Sequence, residues 1–228
     1  MPMGFGTEKI EQEIATLFPE ARVARLDRDT LTSESACKRI IEAFERGETD
    51  ILVGTQIITK GFDFSRVTLV GVLNADNLLN APDYRASERA FQTIMQFAGR
   101  GGRGEKRGEV VIQTAEPEHP VLQQVARGDF EGMARKESAE RQAYGYPPYS
   151  RLVGITMRYR NAEVLHRAAA ELAAGLRTRF SRRVLGPTIP LVDRVRDEHI
   201  VELMLKIESG ASFARARKIL REVMAEVM

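Results

Sequence analysis

The stretch RASERAFQTIMQFAGRGGRGEKRGEVVIQT, residues 85–114, decides the class of fold. Its apolar residues recur at helical spacing up to residue 98, and the run 109–114 is rich in valine and isoleucine, which favours a strand. The glycines between them also satisfy the G-x-G-x-x-G pattern of dinucleotide-binding folds. That pattern requires a strand before the glycines and a helix after them, whereas this order is reversed. We therefore reject a dinucleotide site and interpret the loop as one that presents arginines.

The loop after the predicted helix carries two arginines three residues apart, Arg100 and Arg103, and the helix ends with the amide Gln96. A guanidinium in a glycine-rich loop can enter a neighbouring phosphate site, where such an arginine finger is worth about 10³ to 10⁵ in rate. We expect Arg100 and Arg103 to act catalytically in this way. Gln96 would position the attacking water or sense the γ-phosphate, and Gly99 would lie against the nucleotide. A solvated basic turn is the alternative.

Strands and helices alternate around this stretch. The predicted helices are 7–18, 33–46 and 85–98, with two more between 118 and 143. The predicted strands are 23–26, 51–53, 67–73 and 109–114. Such alternation is typical of an open parallel sheet, and the apolar runs 51–53 and 67–73 favour strands buried on both faces. Thr7 is suited to cap the first helix.

A domain boundary is predicted at Tyr144-Gly145-Tyr146-Pro147-Pro148, because two consecutive prolines exclude a helix. The elements predicted beyond it are a strand at 151–159, a helix at 161–179, strands between 184 and 207, and a last helix from Phe213 to Val227. Residues 1–145 are therefore expected to form an α/β domain with a parallel sheet. Residues 146–228 are expected to form a small α+β domain.

A polar loop follows the second predicted strand, with Thr55, Gln56, Lys60, Gly61 and Asp63. Loops at the carboxyl ends of parallel strands are where open α/β sheets bind ligands. A hydroxyl and an ammonium suit phosphate oxygens, so we expect Thr55 and Lys60 to contact phosphate. Gly61 would let the backbone approach a nucleotide phosphate, and Asp63 would accept a hydrogen bond from a ribose hydroxyl. A polar turn without a ligand is the alternative.

Positive charge is concentrated in residues 150–196, which carry ten arginines, no lysine and three acids, although the net charge of the chain is only +2. Arginine matches phosphate geometry better than lysine does. We expect four of these arginines to bind DNA: Arg177, Arg179, Arg182 and Arg183. An ordinary solvated face is the alternative.

The composition, 43% hydrophobic and 29% charged, is typical of a soluble globular protein. No apolar run approaches the roughly 18 to 20 residues that span a bilayer, and the N-terminus lacks a signal-peptide pattern, so we expect a cytoplasmic protein without membrane contact. The single cysteine, Cys37, excludes an internal disulfide, and without Cys or His clusters we expect no metal site. The scattered His119, His166 and His199 are expected to have surface or packing roles.

The loops at 53–63 and 96–104 resemble motifs V and VI of superfamily 2 helicases. Other stretches resemble, in this order, the signatures of one family: Gly4-Phe5-Gly6-Thr7-Glu8, Arg25-Leu26-Asp27-Arg28-Asp29-Thr30, Gly54-Thr55-Gln56 with Lys60-Gly61, Val67-Thr68-Leu69-Val70, Pro82-Asp83-Tyr84-Arg85-Ala86-Ser87-Glu88-Arg89 and Gly145-Tyr146-Pro147-Pro148-Tyr149. On these residues, which extend over essentially the whole chain, the sequence resembles the PriA family of bacterial primosomal helicases.

The resemblance implies that residues 1–145 form the second RecA-like lobe of an ATP-dependent 3′ to 5′ DNA helicase, in which Thr55, Gln56 and Lys60 contact DNA. It also implies that residues 146–228 contact DNA. It implies recognition of stalled replication forks and restart of replication by primosome assembly. The implied partners are forked DNA and junctions of single and double strands, primosome proteins and single-stranded DNA-binding protein. A passive DNA-binding or primosome-protein-docking module is the alternative function.

The cofactors of the family are expected to lie outside these residues. No stretch matches the Walker A signature or an acidic Walker B strand, so ATP and Mg²⁺ would be held mainly by another lobe. The zinc-binding cysteines of the family lie in an insertion just before Gly4-Phe5-Gly6-Thr7-Glu8. We therefore expect this chain alone to bind none of these cofactors and to hydrolyse no ATP.

Overall fold

A computed structural model describes residues 6–27, 33–55, 67–99 and 108–227. The chain divides into two compact units, Met1–Ala134 and Arg135–Met228. The division falls within a helix, upstream of the boundary that the consecutive prolines predict. Among these residues no helix is long and apolar enough to cross a membrane.

The N-terminal unit pairs parallel strands and packs helices beside them. Its elements are α1 (Thr7–Leu17), β1 (Val23–Leu26), α2 (Glu34–Glu45), β2 (Ile51–Gly54), β3 (Leu69–Val72), α3 (Asp76–Leu79), α4 (Ala86–Ala98), β4 (Glu109–Ile112), α5 (Pro120–Arg127) and the start of α6 (Phe130–Tyr144). Strand β1 pairs with β2, and β3 pairs with β4, both in parallel. This confirms the α/β class. Within the described part, however, the two pairs are not hydrogen-bonded to each other as one sheet.

Two apolar cores support the N-terminal unit. The first packs α2 against the β1–β2 pair and centres on Leu26 and Ile41. The second packs α3 to α6 together and includes Phe91 and Ile94 of α4, which are 3% and 0% exposed. Because these two residues bury one face of α4 in the core, the opposite face of that helix is exposed to solvent.

Two local predictions for this unit were wrong. Gly6, not Thr7, is the N-cap of α1, and the Thr7 hydroxyl instead donates to the Asp27 carboxylate. The strand predicted at 67–73 is not buried on both faces, since Leu69 is 58% exposed and Leu73 54% exposed. Packing on one face is enough to hold β3 in place. The apolar run in the sequence therefore predicted more burial of this strand than the structure has.

The C-terminal unit is the predicted α+β arrangement, an antiparallel sheet with two helices on one face. Its elements are the rest of α6, β5 (Ser150–Tyr159), α7 (Ala162–Phe180), a 3-10 turn (Ser181–Arg183), β6 (Val184–Thr188), β7 (Arg194–Val195), β8 (Glu198–Glu208) and α8 (Phe213–Val227). The strand order is β5-β8-β6, and β7 pairs with the start of β8. Helices α7 and α8 close the core over alternate residues of the sheet, among them Leu203 and Leu205.

A tight hairpin joins β7 to β8. Its two central residues, Arg196 and Asp197, have φ angles of +49° and +65°. Positive φ at both central positions is the geometry of a type I′ turn, whose twist matches that of the flanking strands. The turn therefore uses two residues that carry side chains where glycine or asparagine is usual.

The Tyr-Pro-Pro turn between α6 and β5 is fixed to the sheet by side chains. Lys206 of β8 donates to the Tyr144 carbonyl at 2.7 Å, and its Nζ lies 3.8 Å from the centre of the Tyr146 ring. Burial at this contact lowers the pKa of Lys206. Ser138 of α6 and Tyr149 share a hydrogen bond of 2.6 Å. This signature of the sequence therefore has a structural role in joining α6 to the sheet.

Candidate nucleotide and DNA interface

The end of α4 presents the first part of the candidate nucleotide site. Gln96 is exposed in the last turn of α4, on the face opposite the buried Ile94. Gly99 follows with a right-handed φ of −68°, and its N–H donates to the Met95 carbonyl at 2.9 Å. Gly99 therefore continues the helical backbone and does not turn it. Arg100 and Arg103, predicted to be the catalytic arginines, lie outside the described residues.

The end of β2 presents the second part. Thr55 is exposed and follows Gly54, which is paired with Leu26 of β1. Because β1 and β2 run in parallel, their carboxyl ends lie at the same end of the pair. Asp27 follows directly after Leu26, the last residue of β1. Gln56, Lys60, Gly61 and Asp63, predicted to bind DNA or nucleotide, lie outside the described residues.

Asp27 is buried at the β1 end and braced by neighbours from α1 and β1. It is 4% exposed, accepts from the Thr7 hydroxyl, and its Oδ2 lies 3.5 Å from Nε of Arg25. Arg25 Nε also lies 3.4 Å from the Glu11 carboxylate. Sequence reasoning missed this cluster, because its partners are up to 20 residues apart. The cluster positions α1 against the strand that ends beside Thr55.

Within the described part, no hydrogen bond or ion pair joins Gln96 or Gly99 to Thr55. The structure thus places one candidate group at a helix end and another at a strand end. In those same residues no three His, Cys, Asp or Glu side chains gather as a metal site would require.

The four arginines predicted to bind DNA fall into two classes. Arg177 donates to the Gly186 carbonyl, and Arg183 Nε donates to Glu208 at 2.7 Å. The hydrogen bond from Arg183 lowers the pKa of Glu208. The side chains of Arg179 and Arg182 are exposed and make no hydrogen bond or ion pair with another described residue, although the charge of Arg182 also helps to lower the pKa of Glu208. Arg179 and Arg182 are therefore the pair most available to a phosphate backbone.

Comparison with known proteins bears on both units. Residues 5–105 match the family model for the helicase conserved C-terminal domain, and residues 142–227 match that for the primosomal protein N C-terminal domain. Relatives named replication restart protein PriA are 40% identical over 208 residues in Synechocystis sp. and 37% identical over 227 residues in Bacillus subtilis. The chain belongs to the PriA family. The sequence resemblance is thereby confirmed.

The PriA relatives are considerably longer than this chain. The alignment covers 90% of the chain but 25% of the Synechocystis PriA, and 98% of the chain but 28% of the Bacillus subtilis PriA. With the Treponema pallidum PriA, identity is 38% over 225 residues, which is 98% of the chain and 34% of that relative. The chain thus spans about a quarter to a third of the PriA proteins that it matches.

Proposed function

We propose that the chain is part of an ATP-dependent 3′ to 5′ DNA helicase that recognises stalled replication forks and restarts replication by primosome assembly. The observation that carries the proposal is the order of the two matching domains, a helicase C-terminal domain followed by a primosomal protein N C-terminal domain. The first is a motor part, and the second occurs in proteins named for the primosome. Relatives named for replication restart match along nearly the whole chain.

To hydrolysis this chain would contribute the residues that the sequence predicts to contact the nucleotide. ATP and Mg²⁺ would be bound mainly by another lobe, since these residues contain no Walker A signature. Arg100 and Arg103 would neutralise charge that develops on the transferred phosphoryl group, and Gln96 would orient water or sense the γ-phosphate. Gly61, Asp63 and Gly99 would line the same nucleotide. Zinc would be held by the family's insertion outside these residues.

The contribution to DNA binding comes from both units. Thr55, Gln56 and Lys60 would contact the strand that the motor tracks, and arginines of the C-terminal unit would hold the backbone near a fork. Primosome proteins and single-stranded DNA-binding protein would join the complex as protein partners. This DNA-bound role would place the protein in the cytoplasm.

A chimera tests the motor role. This chain would replace the matching residues of the Bacillus subtilis PriA, to which it is 37% identical over 98% of its length. We expect DNA-stimulated ATP hydrolysis by the chimera and none by the chain alone, measured as phosphate release. Hydrolysis by the chain alone, or a folded chimera that binds ATP and DNA but never hydrolyses, would contradict the proposal.

A passive DNA-binding or protein-docking module is the second candidate, favoured by the exposed Arg179 and Arg182. Replacing both by glutamine should weaken binding of forked DNA to the chain and reduce the slope of log affinity against log salt by about one unit per arginine. Arg217→Gln with Arg221→Gln on α8 removes the same charge from other exposed positions and is the matched control. Equal losses in the two double variants would indicate a general effect of charge and exclude a specific contact.

A further inference from the structure

Three side chains form a row across one end of the C-terminal sheet. His199 of β8 pairs with Tyr159 of β5 on one side and with Arg194 of β7 on the other. Directly paired residues of antiparallel strands project from the same face, with Cβ atoms about 4.5 to 5.5 Å apart. A phenol ring, an imidazole and a guanidinium therefore stand side by side. Tyr159 is 51% exposed and the Arg194 side chain 54%, so solvent reaches both ends of the row.

A concavity of about 160 Å³ lies against Val201 of the same strand, β8. The residues that line it are His166, Pro187, Thr188, Ile189 and Val201. Val201 is two residues from His199 on β8, so the two side chains share a face of the sheet. The walls are largely apolar, with one imidazole and one hydroxyl as polar groups. Such a lining suits a flat heterocycle that is held by contact and oriented by a few hydrogen bonds.

A bulge in β6 builds one wall of the concavity. The pairing of β6 with β8 shifts register between Leu185 and Thr188, and the Gly186 between them has a φ of +89°. A Cβ on Gly186 would lie 2.7 Å from the Glu202 carbonyl oxygen, so a larger residue does not fit. The side chain of Arg177 donates to the Gly186 carbonyl. Arg177 is thus a positioning residue for this wall.

We propose that this end of the sheet seats one unstacked base of single-stranded DNA, with the adjoining phosphate held by Arg194. The inference rests on the proposed function, in which the C-terminal unit contacts DNA. It adds that the DNA is single-stranded, and it names the residues that bind it. The faces of a base are covered by stacking in a duplex, whereas in a single strand they are free to contact aromatic rings and arginine. Tyr159 and the concavity offer such contacts.

The charges near the row favour a phosphate. Arg160 follows Tyr159 just beyond the end of β5, and Arg196 follows Arg194 in the hairpin. Arg194 donates to Asp197 at 3.0 Å, but the Asp197 side chain is 86% exposed. An ion pair this exposed contributes little to stability. The free-energy cost of breaking it is therefore small, and the Arg194 guanidinium can bind a phosphate instead.

The test uses the whole chain and three labelled probes: an oligothymidylate, an abasic strand of equal length and a duplex. Tyr159→Leu should weaken binding of the oligothymidylate by about 5-fold to 100-fold, the range for losing one stacked base. Its duplex and abasic-strand affinities should stay within about two-fold of those of the unmodified chain, and Tyr159→Phe should retain single-strand binding. Tyr144→Leu, at a tyrosine that is 69% exposed, is the matched control.

The possible results distinguish a failure of this base-binding site, called the seat below, from a failure of the proposed function. Normal single-strand binding by folded Tyr159→Leu, or an equal loss on all three probes, overturns the seat and leaves the helicase proposal standing. If the unmodified chain binds no DNA probe, both the seat and the DNA-contact role fail.

Histidine signals supply a second readout that does not depend on a variant folding. The chain has three histidines, and His119 lies in the N-terminal unit, where its imidazole caps α5. Oligothymidylate should shift the ring proton signals of His166 and His199 and leave those of His119 unchanged. No shift at His166 and His199, or equal shifts at all three histidines, overturns the seat.

Discussion

Arg100→Ala in the chimera with Bacillus subtilis PriA is expected to lower DNA-stimulated ATP hydrolysis by about 10³-fold or more. In phosphoryl transfer, negative charge spreads over the oxygens of the transferred group, and a guanidinium placed against them stabilises that charge mainly in the transition state. Affinity for ATP should therefore change much less than the rate. Arg103→Ala should act in the same direction, measured as phosphate release at saturating DNA.

Two further variants make the expectation specific. Arg100→Lys keeps the charge but loses the planar fork of donors, so it should recover little of the rate. Arg127→Ala is the control, since Arg127 is an exposed arginine of the same unit that donates to the Gln123 carbonyl of its own helix. A chimera with Arg100→Ala that hydrolyses ATP within ten-fold of the unmodified chimera would show that Arg100 is not a finger.

Gly186→Ala is expected to destabilise the C-terminal unit by about 2 to 4 kcal/mol, from a disfavoured positive φ together with overpacking. The added Cβ would meet the Glu202 carbonyl at 2.7 Å, and backbone on both sides leaves little room to adjust. The chain has no tryptophan, so urea unfolding is best followed by the amide signals of β6 and β8.

Gly154→Ala supplies the matched control for this substitution. Gly154 also lies in the C-terminal sheet, but a Cβ there would have no atom within 4 Å. Its stability should change by less than about 1 kcal/mol, as is usual for a substitution away from such features. Equal stability of the two variants would mean that β6 relaxes around the added methyl group and that the bulge does not depend on glycine.

Much of the secondary structure could be predicted because each element has a local signal. Helices α1, α2, α4 and α7 each carry an apolar stripe, and their bounds lie within a residue or two of the prediction. The short helix α3 was missed, since one turn is too short to show periodicity. The capping of α1 was predicted wrongly because Thr7 has a distant partner, Asp27, that a local rule does not consider.

The candidate sites could be predicted only in part. Loops such as those of Gln96 and Thr55 carry dense polar sequence, so their residues are visible without a structure. The row of Tyr159, His199 and Arg194 has no such signal, because its members lie on three strands and come together only through register. Likewise, the hydrogen bonds from Arg177 to Gly186 and from Arg183 to Glu208 could not be inferred from the charge of the arginines.

The hairpin between β7 and β8 has a consequence for the energetics of the C-terminal unit. A residue with a side chain in the left-handed region costs on the order of 1 to 2 kcal/mol, and Arg196 and Asp197 both lie there. An Asn-Gly pair would relieve much of that penalty but would remove a cation two residues from Arg194. At the tip of this hairpin the chain is therefore less stable than an Asn-Gly turn would make it. In return, a positive charge lies next to the proposed site for single-stranded DNA.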